Sequence, residues 1–133
     1  MTTIESKHVE IGKSKEDVFA YVRDMTNFKE LLPQDRISDF QADNDSCSFK
    51  ISGMATIGLK VKEVHEPTRM ILESVDSPFS FTLDINVIDK GEGSCEAYQI
   101  AELDLNPMMK MMVQKPLTNL FDHISDRLKA VNS

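Results

Sequence analysis

Three histidines, His8, His65 and His123, are the side chains here best suited to acid–base work at neutral pH, because an imidazole titrates there unaided. They lie far apart in the sequence. None belongs to an H-x-E, an H-E-x-x-H or a Cys/His ligand spacing, so no metal site is expected. No cofactor is expected either, and no residue is assigned as catalytic. His123 falls at the edge of the apolar stripe of a C-terminal helix, which is the place of an exposed or rim histidine. Its neighbour Asp122 projects about 100° away on that helix, so the two are not a ready-made dyad. Cys47 and Cys95 fit no redox or metal-ligand spacing and fall in strand patterns with apolar or small neighbours, which predicts buried free thiols.

Two further polar residues stand in apolar company. Gln99 shares its strand parity with Ala97, Ala101 and Leu103. A buried amide there must find hydrogen-bond partners, either a ligand carbonyl, a backbone group or an internal water. Arg127 lies near the middle of the helix stripe by angle, where snorkelling at the helix end is expected to keep its charge in water. Met108, Met109, Met111 and Met112 surround the first turn and a half of the same helix, so Met111 at least should point away from the core. Such unbranched, polarizable side chains suit a surface that repacks around variable apolar shapes, whether a ligand portal or a partner protein, a second copy included.

The element that must position these residues is the segment Asn106 to Val131. Its apolar residues Met109, Val113, Leu117, Leu120, Phe121, Ile124, Leu128 and Val131 recur at i, i+3, i+4 and i+7, the spacing of one helix face. Asn106 can cap it and Pro107 sits at the first helical position, where a missing N–H costs nothing. Pro116 removes one N–H from its interior and predicts a bend. So long a stripe needs a wide surface to cover it.

That surface is predicted upstream. Thr3 to Ile11 reads as an edge-like first strand, though polar residues occur on both parities. Ser14 and Asp17 form a capping-box variant before Val18, Phe19 and Val22, and Phe28, Leu31 and Leu32 form a second helical turn that Pro33 ends. From Ile37 the period becomes two, giving about six antiparallel strands. Their inner parities carry Phe49 and Ile51, then Ile57, Leu59 and Val61, then Phe79, Phe81 and Leu83, while Lys50, Lys60, Thr82 and Asp84 face water. Gly53 and Gly58 suggest bulges or sharp bends in that sheet. One curved sheet wrapped around the last helix accounts for the pattern, an α+β architecture in a single domain spanning residues 1–133.

The chain carries 15 Lys and Arg against 22 Asp and Glu, a formal net charge of −7, and shows no compensating basic stripe. A nucleic-acid partner or an anionic membrane surface is therefore not expected. No basic leader precedes an apolar run and no apolar stretch approaches a membrane span, so a cytoplasmic location is expected.

In element order, the whole chain resembles the START-like, polyketide-cyclase (SRPBCC) superfamily with its helix-grip fold. The resemblance is carried by VEIGKSKEDVFAYVRDMTNFKELLP, CSFKISGMATIGLKV, PFSFTLDI and NPMMKMMVQKPL. The first of these is similar to the opening of coenzyme-Q-binding and cyclase/dehydrase-like members. The resemblance implies a cavity between sheet and long helix that holds a lipid, quinone or polyketide-like molecule. Its expected lining is the inner-face set above with Gln99, Met109, Met112, Val113, Leu117, Leu120 and Phe121. Binding or carriage of such a ligand is the first expectation, a cyclase- or dehydratase-type enzyme the second, and a protein-interaction module through the methionine-rich helix start the third.

Overall fold

A computed structural model describes residues 1–52, 56–91 and 93–132. Eight strands and three α-helices follow one another as β1 Thr2–Glu5, β2 Val9–Ile11, α1 Lys15–Arg23, α2 Phe28–Leu31, β3 Ile37–Ala42, β4 Ser46–Ile51, β5 Thr56–His65, β6 Arg69–Val75, β7 Phe81–Asp89, β8 Cys95–Leu103 and α3 Pro107–Val131. A 3-10 turn, Met25–Asn27, joins α1 to α2. All strands form one antiparallel sheet in the order β1-β8-β7-β6-β5-β4-β3, with β2 also paired to β8. The sheet curves around α3, as the alternating pattern and the long stripe require. Gly53 lies outside the described residues.

Local chemistry fixes the helix starts. Ser14 accepts a hydrogen bond from the Asp17 N–H at 3.2 Å, and Asn106 Oδ1 accepts from the Met109 N–H at 2.8 Å, each satisfying a donor that the first turn leaves orphaned. Helix α3 then runs through Pro116 without a break.

The first strand is not continuous. In β1, Ile4 pairs with Ala101, whereas in β2, Val9 pairs with Ala97, so β1–β2 contains one residue more than the facing stretch of β8. That single extra residue is a bulge, and it switches the inward parity from Thr2, Ile4 and Ser6 to Val9 and Ile11. The polar residues on both parities of Thr3 to Ile11 are its trace.

A second bulge corrects the reading of β5. Its register with β6 shifts between Val61 and Glu63, and beyond it Val64 and His65 are exposed. Gly58 is not the bulge. A Cβ there would stand 2.2 Å from the Val75 carbonyl oxygen, so glycine is required because two backbones approach closely.

Candidate functional site

Between the sheet and the C-terminal half of α3 lies a small cavity of about 20 Å³ with a wholly apolar wall. Strands β4 and β5 contribute Phe49, Ile57 and Leu59, and the β7 side contributes Phe79, Phe81 and Leu83. From α3 come Leu117, Leu120 and Phe121, at i, i+3 and i+4. Phe28, Leu32, Leu103 and Ile124 complete the wall without having been assigned to it from the sequence. For Leu103 and Ile124 the signal was present, since each falls on the inward parity or stripe. Phe28 and Leu32 reach the cavity because α2 folds against α3, a long-range placement that local periodicity does not encode.

The other expected lining residues lie elsewhere. Val61 is half-buried and packs against the core but is not part of this wall, and the β5 bulge follows it directly. Ile51 and Met112 line an outer cleft instead. Met109 packs against the core only in part and Val113 is buried, neither facing the cavity. Met112 is 68% exposed because it projects about 100° away from Val113 and lies off the buried stripe of α3.

The outer cleft measures about 340 Å³ and is bounded by Pro33, Arg36, Ile51, Ser52, Met112, Pro116, Asn119, Leu120 and His123. Leu120 belongs to both cleft and cavity and so forms the partition between them. The cleft wall is held in place from several sides. The Ser52 N–H donates to the Arg36 carbonyl at 2.8 Å, and Arg127 Nε donates to the Glu30 carbonyl at 3.0 Å. The Tyr21 hydroxyl donates to Glu30 Oε1 at 2.7 Å, and burial together with that carboxylate raises the phenol pKa. Arg127 is thus spent on anchoring α2 to α3, with its head at the surface. His123 is half-buried on the rim of the cleft, whereas Asp122 accepts from the Lys7 N–H at 2.8 Å on another side of the helix. Arg36 is exposed and makes no ion pair with a described residue.

Gln99 is 1% exposed and faces inward, but it does not line the cavity. Its Nε2 donates to Ser125 Oγ at 2.8 Å, and Ser125 Oγ lies 3.1 Å from Ser6 Oγ. Ser6 Oγ accepts from the Gln99 backbone N–H at 2.8 Å and donates to the Lys7 carbonyl at 3.1 Å. One directional chain satisfies every contact, running from the Gln99 amide through Ser125 and Ser6 to the backbone. Gln99 Oε1 has no partner among the described residues. Nε2 gives one of its two hydrogens to Ser125, and the atom left with no partner is the acceptor Oε1.

Cys47 and Cys95 are buried and unpaired, and burial pushes the Cys47 thiol up to about 12. Among the described residues no cluster of three or more His, Cys, Asp or Glu could hold a metal ion, and no helix is long and apolar enough to cross a membrane.

No family model matches the chain, and no curated protein matches it. Solved structures do. The protein XoxI from Bacillus cereus is similar over 99% of this chain and 96% of its own, with a TM-score of 0.79 at 12% identity. Norcoclaurine synthase from Thalictrum flavum, in complex with dopamine and hydroxybenzaldehyde, is similar over 98% of this chain and 85% of its own, with a TM-score of 0.74 at 15% identity. A START superfamily protein from Mycobacterium smegmatis is similar over 97% and 98%, with a TM-score of 0.68 at 16% identity. At these identities the likeness is one of fold.

Proposed function

From the premise of a helix-grip, SRPBCC-like fold whose sheet–helix cavity is consistent with binding a small hydrophobic molecule, we propose that this protein binds an aromatic or polyketide-like substrate and converts it as a cyclase- or dehydratase-type enzyme. The observation that carries the reading is the shared partition. A cleft bearing an imidazole, His123, and a guanidinium, Arg36, that makes no ion pair with a described residue shares Leu120 with the wall of an apolar interior. The apolar body of a substrate enters by displacing Leu120, because about 20 Å³ is room for roughly one water and not for a ring. Its reacting polar end stays in the cleft.

In a dehydration of this kind His123 takes a proton from the carbon beside a carbonyl. Arg36 faces the oxygen on which negative charge develops, and the imidazolium returns the proton to the departing hydroxyl, which leaves as water. The norcoclaurine synthase complex, with an amine and an aldehyde both built on aromatic rings, supports aromatic chemistry on this fold as an analogy. The test uses an aryl-bearing β-hydroxy ketone, 4-hydroxy-4-phenylbutan-2-one, and follows the conjugated enone by absorbance. Enone formation that falls by about 10²–10⁴ in His123→Gln is the expected result.

Carriage without conversion is the second reading, favoured by the absence of any polar residue from the cavity wall. Binding of the ketone with no enone, together with a stoichiometric apolar adduct in native mass spectrometry of the freshly purified protein, would establish it instead.

A further inference from the structure

The buried oxygen of Gln99 has a use that the apolar cavity alone does not supply. The cavity wall reaches Leu83 on β7 and Ile124 on α3. Leu83 stands opposite Ala101 on β8, and the next inward-facing position on that strand is Gln99, about 7 Å further along. Only the methyl group of Ala101 intervenes on β8. On α3, Ser125 directly follows Ile124 and is the residue that holds the Gln99 amide. The Ser125–Ser6–Lys7 chain fixes which way the amide faces, because each hydroxyl in it has a single hydrogen and that hydrogen is committed. The carbonyl oxygen is therefore presented as an acceptor in an apolar setting, where an unmet acceptor is costly.

We propose that Gln99 Oε1 recognises the buried end of the ligand by accepting a hydrogen bond from a hydroxyl group there, so that the site selects phenol-like molecules, apolar along their length with one donor at the inner tip. This rests on the reading of the sheet–helix space as a ligand site and adds the polarity of its inner end. The recognition is directional. A carbonyl or ether at the same tip would place one acceptor against another and be rejected, whereas a plain hydrocarbon would bind but leave Oε1 unmet.

The test compares 2-naphthol with naphthalene by fluorescence titration of the full chain, first on the native protein and then on Gln99→Met, which keeps the volume and removes the acceptor. Naphthalene reports the apolar site alone. The expected result is that the native protein binds 2-naphthol at least as tightly as naphthalene, and that Gln99→Met lowers the naphthol-to-naphthalene affinity ratio about tenfold, the worth of one buried hydrogen bond. Naphthalene binding with 2-naphthol at least tenfold weaker on the native protein would overturn the assignment and leave the ligand site standing. An unchanged ratio in Gln99→Met would do the same, with the oxygen met by internal water only. Failure of both probes to bind would remove the ligand site and this inference with it. Should Gln99→Met not fold, the Gln99 side-chain amide resonances of the native protein decide the matter. They should shift on adding 2-naphthol and not on adding naphthalene, and equal shifts would overturn the proposal.

Discussion

From Leu117 to Val131, α3 presses Leu117, Phe121, Ile124 and Leu128 into the sheet, whereas from Pro107 to Pro116 the same helix buries Val113 alone. Both halves are rich in apolar side chains. Met108, Met111 and Met112 stand 72%, 87% and 68% exposed because, at about 100° per residue, each projects more than about 100° from the centre of the stripe that Val113, Leu117, Ile124 and Leu128 define. The second half holds the fold together; the first half is free to serve the cleft, which opens where the two meet, at Met112, Pro116, Leu120 and His123.

The largest expected effect lies in the buried half. Phe121→Ala removes a ring that is 3% exposed and should cost about 3–5 kcal/mol of unfolding free energy by urea titration. Met111→Ala should stay within about 0.5 kcal/mol. Equal losses at the two positions would mean that the first half is packed after all.

Next comes the sheet on which the second half rests. In Gly58→Ala the added carbon would meet the Val75 carbonyl oxygen at 2.2 Å, and backbone must move to admit it. A loss of about 1–3 kcal/mol is expected, as for other overpacked sites. Unchanged stability would show that β5 and β6 separate readily at this point.

A smaller effect probes the exposed half directly. Asn106→Ala deletes the acceptor that holds the Met109 N–H and should cost the first turn about 1 kcal/mol. Because little tertiary packing holds that turn, the loss should appear as faster amide exchange over residues 108–113 with a nearly unchanged global melting temperature. A fall in melting temperature as large as that of Phe121→Ala would contradict the division of the helix.

Much of this was readable beforehand, and the failures have identifiable causes. Phe81, Leu83, Ile85 and Val87 alternate without interruption and are all buried, since a strand with one face on the core writes its geometry into the sequence with period two. The stretch Thr3 to Ile11 resisted the same reading because its bulge inserts one residue and flips the parity halfway along. Val61 obeys the period of its strand and still lies outside the cavity wall, whereas Met112 lies outside it because its helical angle is off the buried stripe. Phe28 and Leu32 reach the cavity through the docking of α2 on α3, and periodicity holds no information on which elements meet. Gln99 was legible as a buried amide, but which of its two polar atoms stays free depends on Ser6 and Ser125, residues 93 and 26 positions away in sequence.

The smallest expected effect lies where the β1–β2 bulge touches the buried half of α3. Lys7 pairs with Asp126 at 2.8 Å, and its N–H donates to Asp122. Beside it, His8 stacks on Tyr98 with ring centroids 3.9 Å apart and places Nδ1 2.7 Å from Glu96 and Nε2 2.6 Å from Glu5. Two carboxylates on the two ring nitrogens favour the doubly protonated ring, so the His8 pKa is raised above its ordinary 6.5, by the Glu96 hydrogen bond first and that of Glu5 second. Hydrogen bonding to His8 holds Glu96 below its ordinary 4.5. The sign follows from linkage. The histidine's contribution is complete below 6.5 and is lost as pH rises through the higher folded value, while that of Glu96 is present above 4.5 and lost as pH falls through the lower one. The contact is therefore strongest between about pH 4.5 and 6.5. Since the His8 side chain is 38% exposed, solvent screening keeps the effect small. The native protein should lose slightly more melting temperature between pH 6 and pH 9 than His8→Gln does. Parallel curves for the two would show that the bulge is held by Lys7 and Ser6 alone, and that the imidazolium adds nothing to its grip on the buried half of the helix.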